Sequence, residues 1–258
     1  MRDDTLTVCA ISALAAMMGN VLHEGVGHGL LALATGTTTG TLSTVAWSSP
    51  HDTRLVAAGG TLVNLATGLA LWFMLRRATE ASVHMRFFLL IASAFNLLSG
   101  AGYFLFSGVT NFGDWADVTA GLQPAWVWRT LLIVVGAVGY YGTLRLVGRG
   151  LGAQPPKRIW GLMMPAYATA VTLACVAALI NPIGPQLMWQ SALPSTAGAN
   201  AGLVWMRYYV PRGIAPEPSL VIARHPVWIA AAAVAAFLFI LVLGRGVTLH
   251  VPSLILPR

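Results

Sequence analysis

The chain has 258 residues, of which 57% are hydrophobic and 9% carry a charged side chain. This composition excludes a soluble globular domain and is typical of a polytopic membrane protein. The 15 basic residues outnumber the 8 acidic ones, and in an apolar chain this excess favours contact with lipid headgroups over nucleic-acid binding. Cys9 and Cys175 both fall inside apolar stretches, so we expect no disulfide framework.

Six apolar stretches reach the length of about 20 residues that crosses the hydrocarbon core of a bilayer. We predict helical spans at 6–34, 56–75, 87–107, 125–146, 160–181 and 226–244. Because a lipid-exposed backbone must satisfy its hydrogen bonds internally, the predicted fold is an all-α polytopic membrane protein. Residues 187–206 are apolar enough to lie on the membrane or dip into it, and a seventh crossing there stays open.

The first span contains a polar cluster, His23-Glu24-Gly-Val-Gly-His28, where hydrocarbon is expected. A charge at the centre of a span costs about 2.5–3.5 kcal/mol on insertion scales, so such groups usually serve a function. The His-Glu-His order is typical of zinc peptidase helices, although a polar cluster that holds helices together is the alternative. Those helices place their histidines four residues apart, whereas here the spacing is five, and the side chains would diverge by about 140° on an α-helix. A π-turn would return both imidazoles to one side, and we predict one here.

The stretch 36–47, after the first span, is rich in Thr and Val and has no helical period. We predict one or two short strands there, with an ordinary extended loop as the alternative. A strand edge beside a protease site could pair with an extended substrate by β-addition.

A polar linker at 147–158 separates a front part with every candidate chemical group from a back part that includes the long loop 182–225. We also divide the chain into 1–118, a three-span membrane core with the strand-like segment 36–47, and 119–258, a further three-span scaffold. The division predicts that the candidate site is built by the front part alone.

The positions of Arg and Lys favour a cytoplasmic N-terminus. With six crossings this orientation places ten basic residues, among them Arg245 and Arg258, on the cytoplasmic side. The five on the other side are Arg54, Arg129, Arg207, Arg212 and Arg224. We therefore expect an integral multi-pass protein of the cell (inner) membrane.

A catalytic zinc ion needs three protein ligands and one open position. His23 and His28 supply two, and Asp114, at the exit of the third span, is the predicted third ligand. Since alternate spans run in the same direction, all three groups lie toward one membrane face. Asp117 is the fallback ligand, and for either acid a solvated loop position or a helix cap is the alternative. The remaining candidates are His51, Asp52, His84 and His225.

These elements resemble the site-2 protease family of intramembrane zinc metallopeptidases. The matching elements, in the family's order across about 1–118, are His23-Glu24…His28, the strand-like 36–47, Ala58-Gly59-Gly60-Thr-Leu-Val-Asn64, Asn96-Leu97-Leu98 and Gly113-Asp114-Trp115. The chain departs from the family in the extra residue of its zinc motif, in Gly60 where proline is usual, and in Phe-Gly-Asp-Trp in place of Leu-Asp-Gly. The hexad 23–28 is also similar to the His-Glu-x-x-Gly-His helix of a soluble dipeptidyl peptidase family.

The resemblance implies a Zn²⁺ cofactor with three ligands, His23, His28 and Asp114. It implies that Glu24 is the general acid–base of peptide hydrolysis in or near transmembrane segments of membrane-protein substrates. It further implies that Asn64 and Asn96 contact the substrate or stabilise the tetrahedral oxyanion. The residues alone leave open a structural role for both amides, in hydrogen bonds between helices worth about 0.6–2 kcal/mol.

The misfit spacing supports a second hypothesis, a catalytically inactive metal-binding, scaffold or transport protein of the membrane. The absence of clear inverted repeats disfavours a transporter. Intramembrane aspartyl and serine proteases fit less well, because the chain lacks a Gly-x-Gly-Asp motif and a Gly-x-Ser-Gly motif.

Overall fold

The computed structural model describes residues 2–50, 53–211 and 221–250. Within them, six helices are long and apolar enough to cross a membrane, which confirms the predicted all-α polytopic fold. The helices are α1 (Thr5–Ala34), α2 (Arg54–Arg77), α3 (Val83–Thr110), the short α4 (Asp114–Thr119), α5 (Ala125–Leu151), α6 (Pro156–Leu179) and α7 (Pro226–Leu243).

Local sequence signals determine where the long helices begin. Asp4, Thr53 and Ser82 cap α1, α2 and α3, and each side chain accepts a hydrogen bond from the backbone N–H three residues later. Pro156 and Pro226 start α6 and α7, at the first-turn position where a missing N–H costs no intrahelical hydrogen bond. The helix starts are therefore encoded locally.

The second half of α1 departs from α-helical geometry. Residues Leu22–Leu30 form a π-helix of 9 residues, longer than the single π-turn that the histidine spacing predicts. Because π-helical hydrogen bonds join residues five apart, His23 and His28 share one side of the helix.

A small antiparallel sheet lies beyond the end of α1. Strands β1 (Thr39–Leu42) and β2 (Trp47–Ser48) confirm the strands predicted within 36–47. A third strand, β3 (Val247–His250), follows α7 and pairs with the other edge of β1, so the strand order is β2-β1-β3. The sequence analysis missed β3, because a four-residue strand has no signal of its own without the partner that it pairs with.

Residues 186–211, here called the return segment, contain a broken helix between α6 and α7. The segment contains π-helical turns at Met188–Ala192 and Pro194–Gly198 and a 3₁₀-helix at Ala201–Tyr208. Its neighbours change along its length: Ala192 packs near Val45 beside the sheet, the Gly202 N–H donates to Tyr140 Oη at 2.7 Å, and Tyr209 abuts Gly148 near the end of α5. The return segment therefore passes back through the bundle to the end where α1 begins.

This seventh passage corrects the predicted sides of three arginines. The Arg207 guanidinium lies 5.8 Å from the ring of Trp160, in the first turns of α6, and the N–H of Ile222 donates to Asp3 at 2.9 Å. Arg207 and Arg224 therefore lie on the N-terminal face, and Arg245, which precedes β3, lies on the opposite face. The sequence-based sides of these arginines differ because that assignment counted only the six apolar spans and left out the return segment. Arg212 and Arg258 lie outside the described residues.

One apolar core runs through the bundle. Side chains at most 1% exposed come from α1, α3, α5, α6 and the return segment: Ile11, Leu98, Val147, Met163 and Leu203. The core therefore spans the division at residue 118, and that division stays a prediction. Large apolar residues on the outer helix faces are exposed, such as Val138 at 68% and Val234 at 62%, as a lipid-facing surface requires.

Candidate metal centre

The two histidines of α1 meet inside the bundle. Their rings are arranged edge to face with centroids 4.8 Å apart, and the two Nε2 atoms are 3.2 Å apart. Both side chains are buried, with His23 4% and His28 8% exposed. The π-helical geometry of Leu22–Leu30 therefore brings together two imidazoles that would diverge on an α-helix with this spacing.

The chain turns back sharply after α3 and brings Asp114 onto the histidines. Asn111 ends α3 in the left-handed conformation, with φ 54°, and Gly113 follows with φ 83°, a conformation that glycine adopts without strain. The Trp115 ring packs on Phe104 of α3 with ring centroids 4.4 Å apart. This contact holds α4 against the bundle and directs Asp114 inward.

Three potential ligand atoms form a nearly equilateral triangle. Asp114 Oδ2 lies 3.3 Å from His23 Nε2 and 3.4 Å from His28 Nε2, and the two nitrogen atoms are 3.2 Å apart. A tetrahedral metal ion with bonds of about 2.0–2.1 Å separates its ligand atoms by about 3.3 Å. The predicted trio of residues can therefore hold one metal ion.

The electrostatics of Asp114 favour a bound cation. Its Oδ2 is buried and has no hydrogen-bond partner among the described residues, because both imidazoles come within 3.4 Å without hydrogen-bond geometry. Burial alone would raise the pKa of this carboxyl, but the two imidazoles hold the pKa below its ordinary value. The ionised oxygen accepts hydrogen bonds only, so a shared cation would satisfy it.

A second contact fixes each imidazole. His28 Nδ1 lies 2.7 Å from the carbonyl oxygen of Val56, which has no proton to give, so Nδ1–H is the donor, and in the neutral ring the Nε2 lone pair is left for a metal ion. His23 Nδ1 lies 3.2 Å from Asn64 Nδ2, while the buried Asn64 Oδ1 has no partner among the described residues. Rotating this amide by 180° would let Oδ1 accept from His23 Nδ1–H and leave the His23 Nε2 lone pair for a metal ion.

Glu24 lies beside the triangle and is held by the sheet. Its side chain is buried, and Oε2 accepts a hydrogen bond of 2.8 Å from the backbone N–H of Trp47 in β2. The Trp47 ring packs across Gly29 of α1, where an added Cβ would lie 3.0 Å from it. The outer edge of β2 therefore borders the site and positions the carboxylate next to His23.

Close backbone packing brings α2 beneath the ligands. An added Cβ on Gly27 would lie 2.6 Å from Gly60 N, and one on Gly60 would lie 2.6 Å from His23 Nε2. Both contacts require glycine at these positions. Gly27 and Gly60 therefore allow α1 and α2 to approach closely at the site.

A cavity of about 480 Å³ opens beside the triangle. Its lining includes Glu24, His28, Asp114, Trp47 and Gln190, the last from the return segment. The back part of the chain therefore contributes to the site, contrary to the expectation that the front part builds it alone.

An apolar cavity of about 390 Å³ adjoins the first one, between α3, α5 and the return segment. Tyr103, Phe106 and Ser195 line both. The Tyr103 ring stacks on His23 with centroids 4.8 Å apart. Sequence reasoning missed Tyr103, although a tyrosine two turns after Asn96 in the same span was a usable signal.

The other candidate residues lie apart from the triangle. Asn96 is fully buried, donates to Ala92 O within α3 and packs against Gly19 of α1, so its oxyanion role has no geometric support. Asp117 is exposed and lines the cavity mouth without joining the three ligands.

The remaining candidate ligands lie far along the bundle or outside the described residues. His84 and His225 contact each other, with ring centroids 4.8 Å apart, at the N-terminal end of the bundle. His51 and Asp52 lie outside the described residues.

The chain matches no protein-family model, no curated protein and no solved structure. Its function must therefore be argued from the site rather than from relatives. The fold and the site define a multi-pass membrane protein with a buried centre that could hold one metal ion through two imidazoles and a carboxylate.

Proposed function

We propose that the chain is a membrane-embedded zinc metallopeptidase of the site-2 protease type, which hydrolyses peptide bonds in or near transmembrane segments. The observation that carries the proposal is the triangle of His23, His28 and Asp114 with edges of 3.2–3.4 Å, next to the buried Glu24. Two nitrogen ligands and one oxygen ligand in tetrahedral spacing, with room for a fourth, are typical of catalytic zinc.

The proposed chemistry needs one metal ion and one base. Bound Zn²⁺ lowers the pKa of its water to about 7 and polarises a carbonyl group. Glu24 would act as the general acid–base, accepting a proton from the attacking water and delivering it to the leaving amine. Its hydrogen bond to Trp47 keeps the carboxylate oriented without making it a ligand.

Two surfaces support a membrane substrate. The apolar cavity that shares Tyr103, Phe106 and Ser195 with the metal-side cavity offers a route from the lipid, between α3 and the return segment. The outer edge of β2 lies beside Glu24, where an extended peptide could add to the sheet. In this proposal the substrate segment enters from the side and unwinds along β2.

The corrected positions of the charges support a cytoplasmic N-terminus. Of the described basic residues, only Arg54, Arg129 and Arg245 lie on the face of the sheet, and the other ten lie on the N-terminal face. By the positive-inside rule the N-terminal face is cytoplasmic. The metal site then opens toward the opposite side, unlike that of the familiar site-2 proteases.

One experiment tests the proposal. Purified protein in nanodiscs is assayed for zinc by elemental analysis and for cleavage of a fluorogenic model transmembrane helix. We expect Glu24→Gln to keep one zinc per chain and to lose about 10²–10⁴-fold in rate, and His28→Ala to lose both zinc and cleavage. Glu80→Gln, an exposed acid at the other end of the bundle, is the matched control and should behave like the parent. Unchanged zinc and cleavage in both site variants would refute the proposal.

A metal-binding protein without peptidase activity is the second candidate. The observation that favours it is the Glu24 carboxylate, one oxygen of which is already hydrogen-bonded to Trp47. One zinc per chain in a protein that cleaves no helix, with zinc affinity unaffected by Glu24→Gln, would favour this candidate over the first.

A further inference from the structure

A second polar site lies at the opposite end of the bundle from the metal centre. A cavity of about 400 Å³ is lined there by Arg145 and Arg149 of α5 and by 208–211 at the end of the return segment. The two arginines are four residues apart, so they lie on one face of the helix. We call this space the arginine cavity.

The positive charge in the arginine cavity is not neutralised within the described part of the chain. Neither Arg145 nor Arg149 has an ion pair or a side-chain hydrogen bond there. Of the three described acids at this end of the bundle, Asp3 pairs with Arg158, Asp4 caps α1 and Glu80 lies beyond the end of α2. The cavity therefore presents two free guanidinium groups.

Aromatic side chains frame the same cavity. Tyr209 meets Tyr141 of α5 edge to face, with centroids 6.1 Å apart, and the Arg207 guanidinium lies 4.8 Å from the ring centroid of Tyr208. Arg207 also donates to Tyr208 Oη at 2.8 Å. Tyrosine and arginine together are typical of the headgroup level of a bilayer.

The position along α5 agrees with that level. The helix has 27 residues, so it is about 40 Å long and exceeds the hydrocarbon core by about 5 Å at each end. Arg145 lies six residues before Leu151, the last residue of α5, which places it about 9 Å from the end. Its long side chain reaches the phosphate layer from the hydrocarbon edge.

We infer that the arginine cavity binds the phosphate of an anionic phospholipid headgroup. Guanidinium groups bind phosphate oxygens in bidentate fashion, and two unpaired arginines in one cavity match a single phosphodiester. The lipid is favoured over a dissolved phosphate ion because the cavity lies at the depth of the headgroups. A lipid bound there would join α5 to the end of the return segment, which also lines the metal-side cavity.

Native mass spectrometry of the full chain, delipidated in neutral detergent, tests the inference. Phosphatidylglycerol and phosphatidylcholine are titrated separately, and inorganic phosphate is tested as a competitor at millimolar concentration. We expect one phosphatidylglycerol to be retained in preference to phosphatidylcholine, without displacement by inorganic phosphate. Equal retention of both lipids, or displacement by inorganic phosphate, would overturn the inference.

Matched variants locate the site. Arg145→Gln/Arg149→Gln should weaken phosphatidylglycerol binding by about 30-fold, since each cation near the surface contributes about 1 kcal/mol. Arg76→Gln/Arg77→Gln removes the same charge from exposed positions on the same face and should leave retention within a few-fold. Equal loss in both pairs would show general electrostatics and overturn the inference.

A pair of charge-preserving substitutions distinguishes the loss of phosphate contacts from misfolding. Arg145→Lys/Arg149→Lys keeps both charges but lacks the guanidinium fork. We expect this variant to retain phosphatidylglycerol more weakly than the parent does and to have an unchanged circular dichroism spectrum. Retention equal to that of the parent would overturn the inference.

Discussion

Gly60 of α2 lies directly against the metal-facing atom of His23, because a Cβ added at Gly60 would stand 2.6 Å from His23 Nε2. We expect Gly60→Ala to push the imidazole out of the triangle and to reduce zinc affinity about 10–100-fold, the range seen when the surroundings of a ligand are disturbed. Competition against a fluorescent zinc chelator measures this affinity. Gly142→Ala is the control, because nothing lies within 4 Å of its added Cβ. A Gly60→Ala protein with parental zinc affinity would contradict the geometry of the site.

Asn64 contacts His23, and substitutions of Asn64 show whether its amide positions this ligand or stabilises the oxyanion. Asn64→Asp keeps an oxygen acceptor for His23 Nδ1–H, whereas Asn64→Leu removes it. We therefore expect Asn64→Leu to lose about 10–100-fold in zinc affinity and Asn64→Asp to retain it. If both variants bind zinc like the parent and lose only cleavage, the amide acts on the substrate instead.

The apolar cavity makes a prediction about substrate entry. Gly198 lines this cavity, and nothing lies within 4 Å of its added Cβ, so Gly198→Trp should fill the space without displacing neighbours. We expect cleavage of a transmembrane substrate to fall at least tenfold while zinc content and cleavage of a short soluble peptide stay unchanged. Gly161→Trp places the same side chain at an equally open position on α6 and should cleave both substrates normally. Loss of soluble-peptide cleavage in Gly198→Trp would argue against a separate entry route.

The ion pair between Asp3 and Arg158 gives a prediction about pH. Arg158 Nε and Nη2 donate to the Asp3 carboxylate at 2.8 and 3.0 Å, and Ile222 N–H donates at 2.9 Å. Burial alone would raise the pKa of Asp3, but these donors bring the pKa below its ordinary value of 3.8. The stabilisation is therefore present above about pH 4 and is lost as the pH falls through the lower pKa of the folded protein.

Thermal unfolding in detergent across pH 3–7 measures this effect. We expect Asp3→Asn to lower the free energy of unfolding by about 1 kcal/mol at neutral pH, after allowance for solvent screening. The difference from the parent should shrink as the pH falls toward the acidic end. Glu80→Gln, an exposed acid on the same face, should show no difference at either pH. A constant difference at all pH values would show that Asp3 acts by packing rather than by charge.

The sequence predicts the ligand trio well, because buried titratable groups are rare in membrane spans and His23, His28 and Asp114 fall toward one face in any alternating topology. The roles of Asn64 and Glu24 depend on contacts with residues 41 and 23 positions away, which spacing within one helix cannot specify. The strand β3 exists only through pairing with β1. The path of the return segment follows from packing against α5, and its sequence, with mixed π- and 3₁₀-helical geometry, carries no clean periodic signal.

The central claim is that His23, His28 and Asp114 bind the same zinc ion. X-ray absorption at the zinc edge, on protein purified with one equivalent of zinc, tests it most directly. We predict a first shell of four nitrogen or oxygen atoms at about 2.0–2.1 Å with the outer-shell pattern of two imidazoles and no sulfur. Substituting Asp114→Asn should change this shell, and substituting Asp117→Asn should leave it unchanged. A spectrum with one imidazole or none, or a shell unaffected by Asp114→Asn, would contradict the claim that these three residues share one ion.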